Sequence, residues 1–250
     1  MNYRYYAFLI LPLWLLISLS PLVCAQNAAR GVHEHTHIGY VPREVMSRPI
    51  SLRAGIGAFH EEITTRFREA QKFYDQGQAY LHSYMWIEAA RSFHQALRFD
   101  PRLAMAFVGL SYAYSPIDYT AARQALDRAD ALNGKISVRE KRRIQIRRLQ
   151  LEAMLEPQNS EKLQAVRVAM DQALAAEPND AEMLLLRGNA EENTPFADGQ
   201  GCVTSAIPYY QKAIKIEQNN FAAEHYLTHC YENAGLKAEE IGRASCRERV

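Results

Sequence analysis

The chain has 250 residues, 48% of them hydrophobic, with 29 Lys and Arg against 28 Asp and Glu. That length and apolar content suit one ordinary domain or one run of repeats and exclude wholesale disorder. The near-neutral balance excludes a general electrostatic grip on nucleic acid. The strongly apolar stretch Ala7–Leu19 is thirteen residues long, short of the roughly 20 that a membrane-spanning helix needs.

In chain order, that stretch comes first. Arg4 precedes it, and Val23-Cys24-Ala25 puts small residues before a cut at Gln26. This pattern predicts a secretory signal over residues 1–25 and an exported, periplasmic or cell-surface protein without stable membrane insertion after cleavage. Pro21-Leu22-Val23 lacks the small residue that lipid anchoring at Cys24 would require. Residues 26–66 read as a largely irregular leader. It carries His33, His35 and His37, a weak candidate site for Zn, Cu or Ni, because ligands in a flexible segment must be made to converge.

From residue 67 the pattern becomes helical and repetitive. Phe73, Gly77, Tyr80, Ala89, Phe93, Ala96 and Pro101 stand at the spacing of a helix-turn-helix unit. Gly77 and Ala89 are small where two helices must cross closely, Phe73, Tyr80 and Phe93 fill the space beside the crossing, and Asp100-Pro101 ends the second helix. A further unit carries Phe107, Leu110, Ser111 and Tyr114, then Ala122, Leu126 and Ala129. Asn133-Gly134 is expected to close it with left-handed backbone. Ser137 and Glu140 form a capping box for a helix to about Glu156, and a partner runs from about Ser160 to Glu177 with Val166, Met170 and Ala173 at repeat spacing. Asp180 caps a helix carrying Leu184 and Gly188. After a long loop, a partner beginning near Ser205 carries Ala206, Tyr210 and Ala213, and a last helix from Phe221 to about Ala234 carries Leu227 and Tyr231. Alternation suggesting a strand is brief, near residues 144–151, inside a segment better read as helix from its cap and length.

This spacing resembles that of tetratricopeptide repeats over residues 67–239. The stretch GIGAFHEEITTRFREAQKFYDQGQAYLHSYMWIEAARSFHQALRFDP, with His225-Tyr-Leu-Thr-His229 further on, is similar to exported bacterial members of that family, and the likeness covers about residues 53–239. It implies an all-α solenoid of antiparallel helix pairs, each burying its apolar face on its neighbours. These relatives share no assigned activity that could be transferred. The last ten residues, Ile241–Val250, back-translate without a stop onto ATC-GGA-AGA-GCG-TCG-TGT-AGG-GAA-AGA-GTG. That string resembles a common short-read sequencing adapter, so residues 241–250 are expected to be foreign and the chain truncated.

Several side-chain groupings invite chemistry. His225 and His229, four apart, share one helix face and would suit a metal or a partner, though Tyr226 stands where a His-Glu-x-x-His protease needs its glutamate. Arg139, Lys141, Arg142, Arg143, Arg147 and Arg148 would give one helix a basic surface. Cys202 and Cys230 are near enough in the predicted arrangement to form a disulfide. There is no Gly-x-Ser-x-Gly elbow and no phosphate-binding Gly-x-x-x-x-Gly-Lys, so neither catalysis nor a cofactor is expected. The expected function is a scaffold binding protein or peptide, not nucleic acid, in a concave groove. Projected from the first unit, the groove is lined by Tyr74, Gln78, Leu81, His82, Met105, Val108, Tyr112, Glu182, Leu185, Asn189, His225 and His229. The alternatives are a metal-binding protein using the His clusters, or an accessory part of an enzyme whose catalytic domain lies downstream.

Overall fold

Caps and prolines cut the chain into helices close to where the sequence predicts. The computed structural model describes residues 41–191 and 203–236. The signal-like stretch, the leader histidines 33, 35 and 37, Cys202 and the tail from residue 241 lie outside the described residues. Among the described residues there are ten α-helices and no strand: α1 (Arg43–Met46), α2 (Arg68–Leu81), α3 (Trp86–Phe99), α4 (Ala104–Tyr114), α5 (Tyr119–Asp130), α6 (Val138–Met154), α7 (Ser160–Ala176), α8 (Ala181–Asn189), α9 (Ile207–Ile216) and α10 (Phe221–Asn233). From α2 to α8, and again from α9 to α10, each helix packs on the next, α8 packs on α9, and α2 and α4 also touch α6's side of the array through α2 on α4 and α4 on α6.

Local chemistry explains most of the boundaries. Ser137 and Glu140 form the reciprocal capping box at the start of α6. Asp118, Asn159, Asp180 and Asn220 each accept a main-chain N–H in the first turn of α5, α7, α8 and α10. One boundary differs from expectation. Asn133-Gly134 does not close α5 with left-handed backbone; residues Asn133–Lys135 form a 3-10 turn instead, and Gly134 is absent from the positive-φ glycines. The 3-10 turn meets the same need, since it too supplies hydrogen bonds for a helix end.

Small residues admit large ones at the crossings. A Cβ on Gly77 of α2 would lie 2.5 Å from the Phe93 ring, and one on Gly109 of α4 would lie 2.4 Å from it. Phe93 of α3 is therefore wedged between two glycines, wholly buried, and that burial contributes about 1.5–3 kcal/mol. Gly188 of α8 and Tyr210 of α9 repeat the device, with a 2.4 Å approach. Ahead of α2, α1 docks on α3: Met46 is buried, and Arg91 and Arg98 donate to the carbonyls of residues 47–49.

Gly109→Ala tests the wedge. Alanine gains up to about 1 kcal/mol of helix propensity but must displace a ring with nowhere to go, which costs about 1–3 kcal/mol. A lower urea midpoint is expected, partly restored when Phe93→Leu is added; an unchanged midpoint in the single variant would contradict the wedge.

Candidate functional site

Residues 51–65 adopt neither helix nor strand, yet they are held closely by helix side chains. Gln76 of α2 donates from Nε2 to the Ser51 carbonyl at 3.2 Å and accepts the Arg53 N–H on Oε1 at 2.8 Å. One and a half turns earlier, Gln71 does the same to a second place, donating to the Glu61 carbonyl at 2.8 Å and accepting the Ile63 N–H at 3.3 Å. Each carboxamide thus pairs with the C=O of one residue and the N–H of the residue two further on. Glu140 accepts the Thr64 N–H at 2.8 Å and the Thr64 hydroxyl, and Arg139 donates to the Glu62 carbonyl. Glu140 serves the α6 capping box at the same time.

Burial alternates over residues 59–63, as where backbone sends successive side chains to opposite sides. Glu61 and Ile63 are buried and Phe59 half-buried, whereas His60 and Glu62 are exposed, and a bend at Thr64, closed by the Thr65 N–H donating to the Ile63 carbonyl, ends the alternation. Phe59 meets the His82 ring at 5.4 Å between centroids. The Tyr74 hydroxyl donates to Glu61 Oε2 at 2.8 Å, and Arg143 Nη2 of α6 donates to Glu61 Oε1 at 2.9 Å and to Asp180 Oδ1 at 2.7 Å. The Arg143 side chain is 4% exposed. Burial opposes its charge, but Glu61, Asp180 and Glu182 outweigh that and raise its pKa above the usual guanidinium value. Burial also raises the Glu61 carboxyl, with Arg143 pulling it back; Arg143 stays charged in either case because Asp180 shares the same Nη2. Burial and the adjoining Glu61 push the Tyr74 phenol well up, so it remains a donor.

A second polar cluster joins α2 to α8 and α10. His82 contacts the Tyr226 hydroxyl through Nδ1 at 2.9 Å and Glu182 Oε2 through Nε2 at 3.0 Å. His225 Nδ1 donates to the His82 carbonyl at 2.7 Å, so the neutral ring offers Nε2 as acceptor to His229 Nε2, 3.0 Å away; His229 Nδ1 faces Glu232 at 3.0 Å. Tyr84, whose φ of +57° is unusual for a bulky residue, presents its ring to His225 and Tyr226. Among the described residues, no set of three His, Cys, Asp or Glu is arranged to hold a metal ion.

These contacts set a pH dependence. Burial, with the nearby His229, lowers the His225 pKa below its usual 6.5, against the opposing pull of the His82 carbonyl. A depressed histidine pKa favours folding fully above 6.5, and that contribution is lost as pH falls toward the folded-state value. His94 adds to the same slope, since burial brings its pKa down to about 4. Between pH 7 and pH 5 the melting temperature of wild type should therefore fall relative to that of His225→Gln; parallel pH profiles would show that His225 carries none of the dependence.

The twelve residues projected as a groove lining stand as follows. Tyr74, Gln78, Leu81, His82, Met105, Val108, Glu182 and Leu185 are buried, and Tyr112, Asn189, His225 and His229 are half-buried. None of the twelve is exposed. Tyr74, Gln78, His82, Glu182, His225 and His229 join the two polar clusters. Met105 and Val108 share an apolar core with Ile63, Leu185 packs with α9 and α10 residues, Tyr112 donates to Gln150, and Asn189 accepts from Tyr210. The basic surface expected on α6 is corrected. Arg143 and Arg147 are buried, Arg147 donating to Ser111 with its guanidinium 3.9 Å over the Tyr112 ring. Arg142 pairs with Glu177, and Arg148 with Asp127 and Asp130.

Sequence reasoning missed Gln71, Gln76, Glu61, Arg143 and Asp180 as a group. The available signals were the alternation Phe59-x-Glu61-x-Ile63 in a leader read as irregular, and the 3-4 spacing of Glu140, Arg143, Ile144, Arg147 and Leu151, which is that of a buried stripe. Cys230 is disulfide-bonded; Cys202 lies outside the described residues. Among the described residues no helix is long and apolar enough to cross a membrane. Comparison with family models and with curated proteins finds no match for this chain.

Proposed function

We propose that the chain is an exported scaffold of tetratricopeptide-repeat type, a non-catalytic binding protein that takes an extended peptide from a protein partner along its inner face. One observation carries the reading: Gln71 and Gln76 each pair a side-chain carboxamide with a C=O and the N–H two residues on. That geometry recognises extended main chain whatever its side chains, as a sheet edge does for an added strand. Support for the repeat type comes from the small-residue crossings at Gly77, Gly109 and Gly188. It comes also from the fact that Tyr74, Arg143, Glu182 and Tyr226 stand on α2, α6, α8 and α10, all even-numbered helices of the alternating array. Export is supported by the apolar stretch at Ala7–Leu19 and by the disulfide-bonded Cys230.

The reading is tested by panning a phage-displayed library of random linear dodecapeptides against the purified chain. Enriched peptides, synthesised and titrated into chain whose own segment is weakened by Phe59→Ala and Ile63→Ala, are expected to bind in the micromolar range and at least about tenfold more weakly when Gln71→Ala is added, the loss of two main-chain hydrogen bonds. No enrichment over the bare support, or peptides indifferent to Gln71→Ala, would overturn it.

A further inference from the structure

The segment gripped by α2 and α6 reads as a ligand supplied by the chain itself. Its inward side chains are Phe59 against His82, Glu61 on Arg143 and Tyr74, and Ile63 in the apolar core with Met105 and Val108. We propose that this face recognises an acidic extended peptide of the pattern aromatic-x-Glu-x-aliphatic, and that residues 59–63 are its built-in occupant, exchangeable for the same pattern presented by a partner protein. The proposal rests on the peptide-binding reading above and adds the chemistry of the partner.

Three observations support it. The acid-binding position is built and not saturated: Arg143 is almost wholly buried, and its Nε and Nη1 meet no acceptor among the described residues. Gln71 and Glu140 hold main-chain groups, and the outward His60 and Thr64 add side-chain bonds to Asp75 and Glu140, so a different peptide with the same inward residues keeps the main-chain and inward contacts. What precedes the occupant has anchors of its own: α1 on α3, Ser51 and Arg53 on Gln76, and Gly57 against the Phe221 ring. The rest of the stretch before Phe59 is largely exposed, and Gly55 and Gly57 both have positive φ. Such glycines let the backbone turn where other residues would be strained.

A tethered occupant competes at an effective concentration in the millimolar range. A free peptide should therefore bind the wild-type chain weakly and a chain with a weakened occupant much better. The probe is a fluorescein-labelled peptide of residues 56–66, IGAFHEEITTR, titrated by anisotropy into wild-type chain and into chain carrying Phe59→Ala and Ile63→Ala, with folding checked by circular dichroism. Binding to the variant should be at least about tenfold tighter than to wild type, and a peptide carrying Glu61→Gln should bind the variant at least about tenfold more weakly, as expected for hydrogen bonds to a charged group.

Chain carrying the near-isosteric Glu61→Gln serves as a second acceptor should the double variant unfold. No binding to either folded variant, or equal binding of the Glu and Gln peptides, overturns the proposal. Library peptides that depend on Gln71 yet lack the acidic pattern would overturn it too, while leaving the general peptide-binding reading intact.

Discussion

A guanidinium removed from water has to be met by anions, because stripping its hydration costs several kcal/mol. Arg143 of α6 satisfies that need with two carboxylates from far apart in the chain: Glu61 from the extended segment and Asp180 from the start of α8. Asp180 also caps α8 by accepting the Met183 N–H. One charged side chain therefore fixes the path of residues 59–65, the entry of α8 and the orientation of α6 together. Tyr74 and Gln78 extend the same cluster onto α2, and the inner ends of three helix pairs meet at this point.

The His82 cluster makes a second long-range closure, between α2, α8 and α10. Neighbouring helices gain their packing locally, each wedge such as Phe93 needing only the adjacent pair. The Arg143 and His82 clusters join residues separated by as many as 82 and 144 positions, and contacts of that separation carry a larger loop-closure cost. The array thus has robust local pairs and two polar clasps that set how far its inner face is covered. In the proposed exchange, a ligand that replaces the segment would have to satisfy Arg143 as Glu61 does.

Helix limits were legible in the sequence because their causes are short-range. Ser137 with Glu140, Asp180 before α8, and Gly77 opposite Phe93 are each understood within one or two turns. Asn133-Gly134 was misread for a related reason: the dipeptide permits left-handed backbone without demanding it, and a 3-10 turn served. The extended segment was opaque. Its order comes from Gln71, Glu140 and Arg143, which follow it in the chain by as many as 82 residues, and no local pattern specifies that a leader is to be gripped. Arg143 and Arg147 misled for the opposite reason, since arginines in a run signal a solvated face unless their partners, Glu61, Asp180 and Ser111, are already known. The projected lining residues could be assigned to a helix face by periodicity. Whether that face is open depends on the segment lying over it.

Hydrogen–deuterium exchange over residues 56–66 of the purified chain tests the central claim most directly. The Ile63 and Thr64 amides are bonded to Gln71 and Glu140, so a peptide covering them should exchange at least about tenfold more slowly than the same sequence free in solution, because protection follows the free energy of local opening. Exchange at the free-peptide rate, in a chain whose α2 and α3 amides remain protected, would contradict an inner face occupied by its own segment.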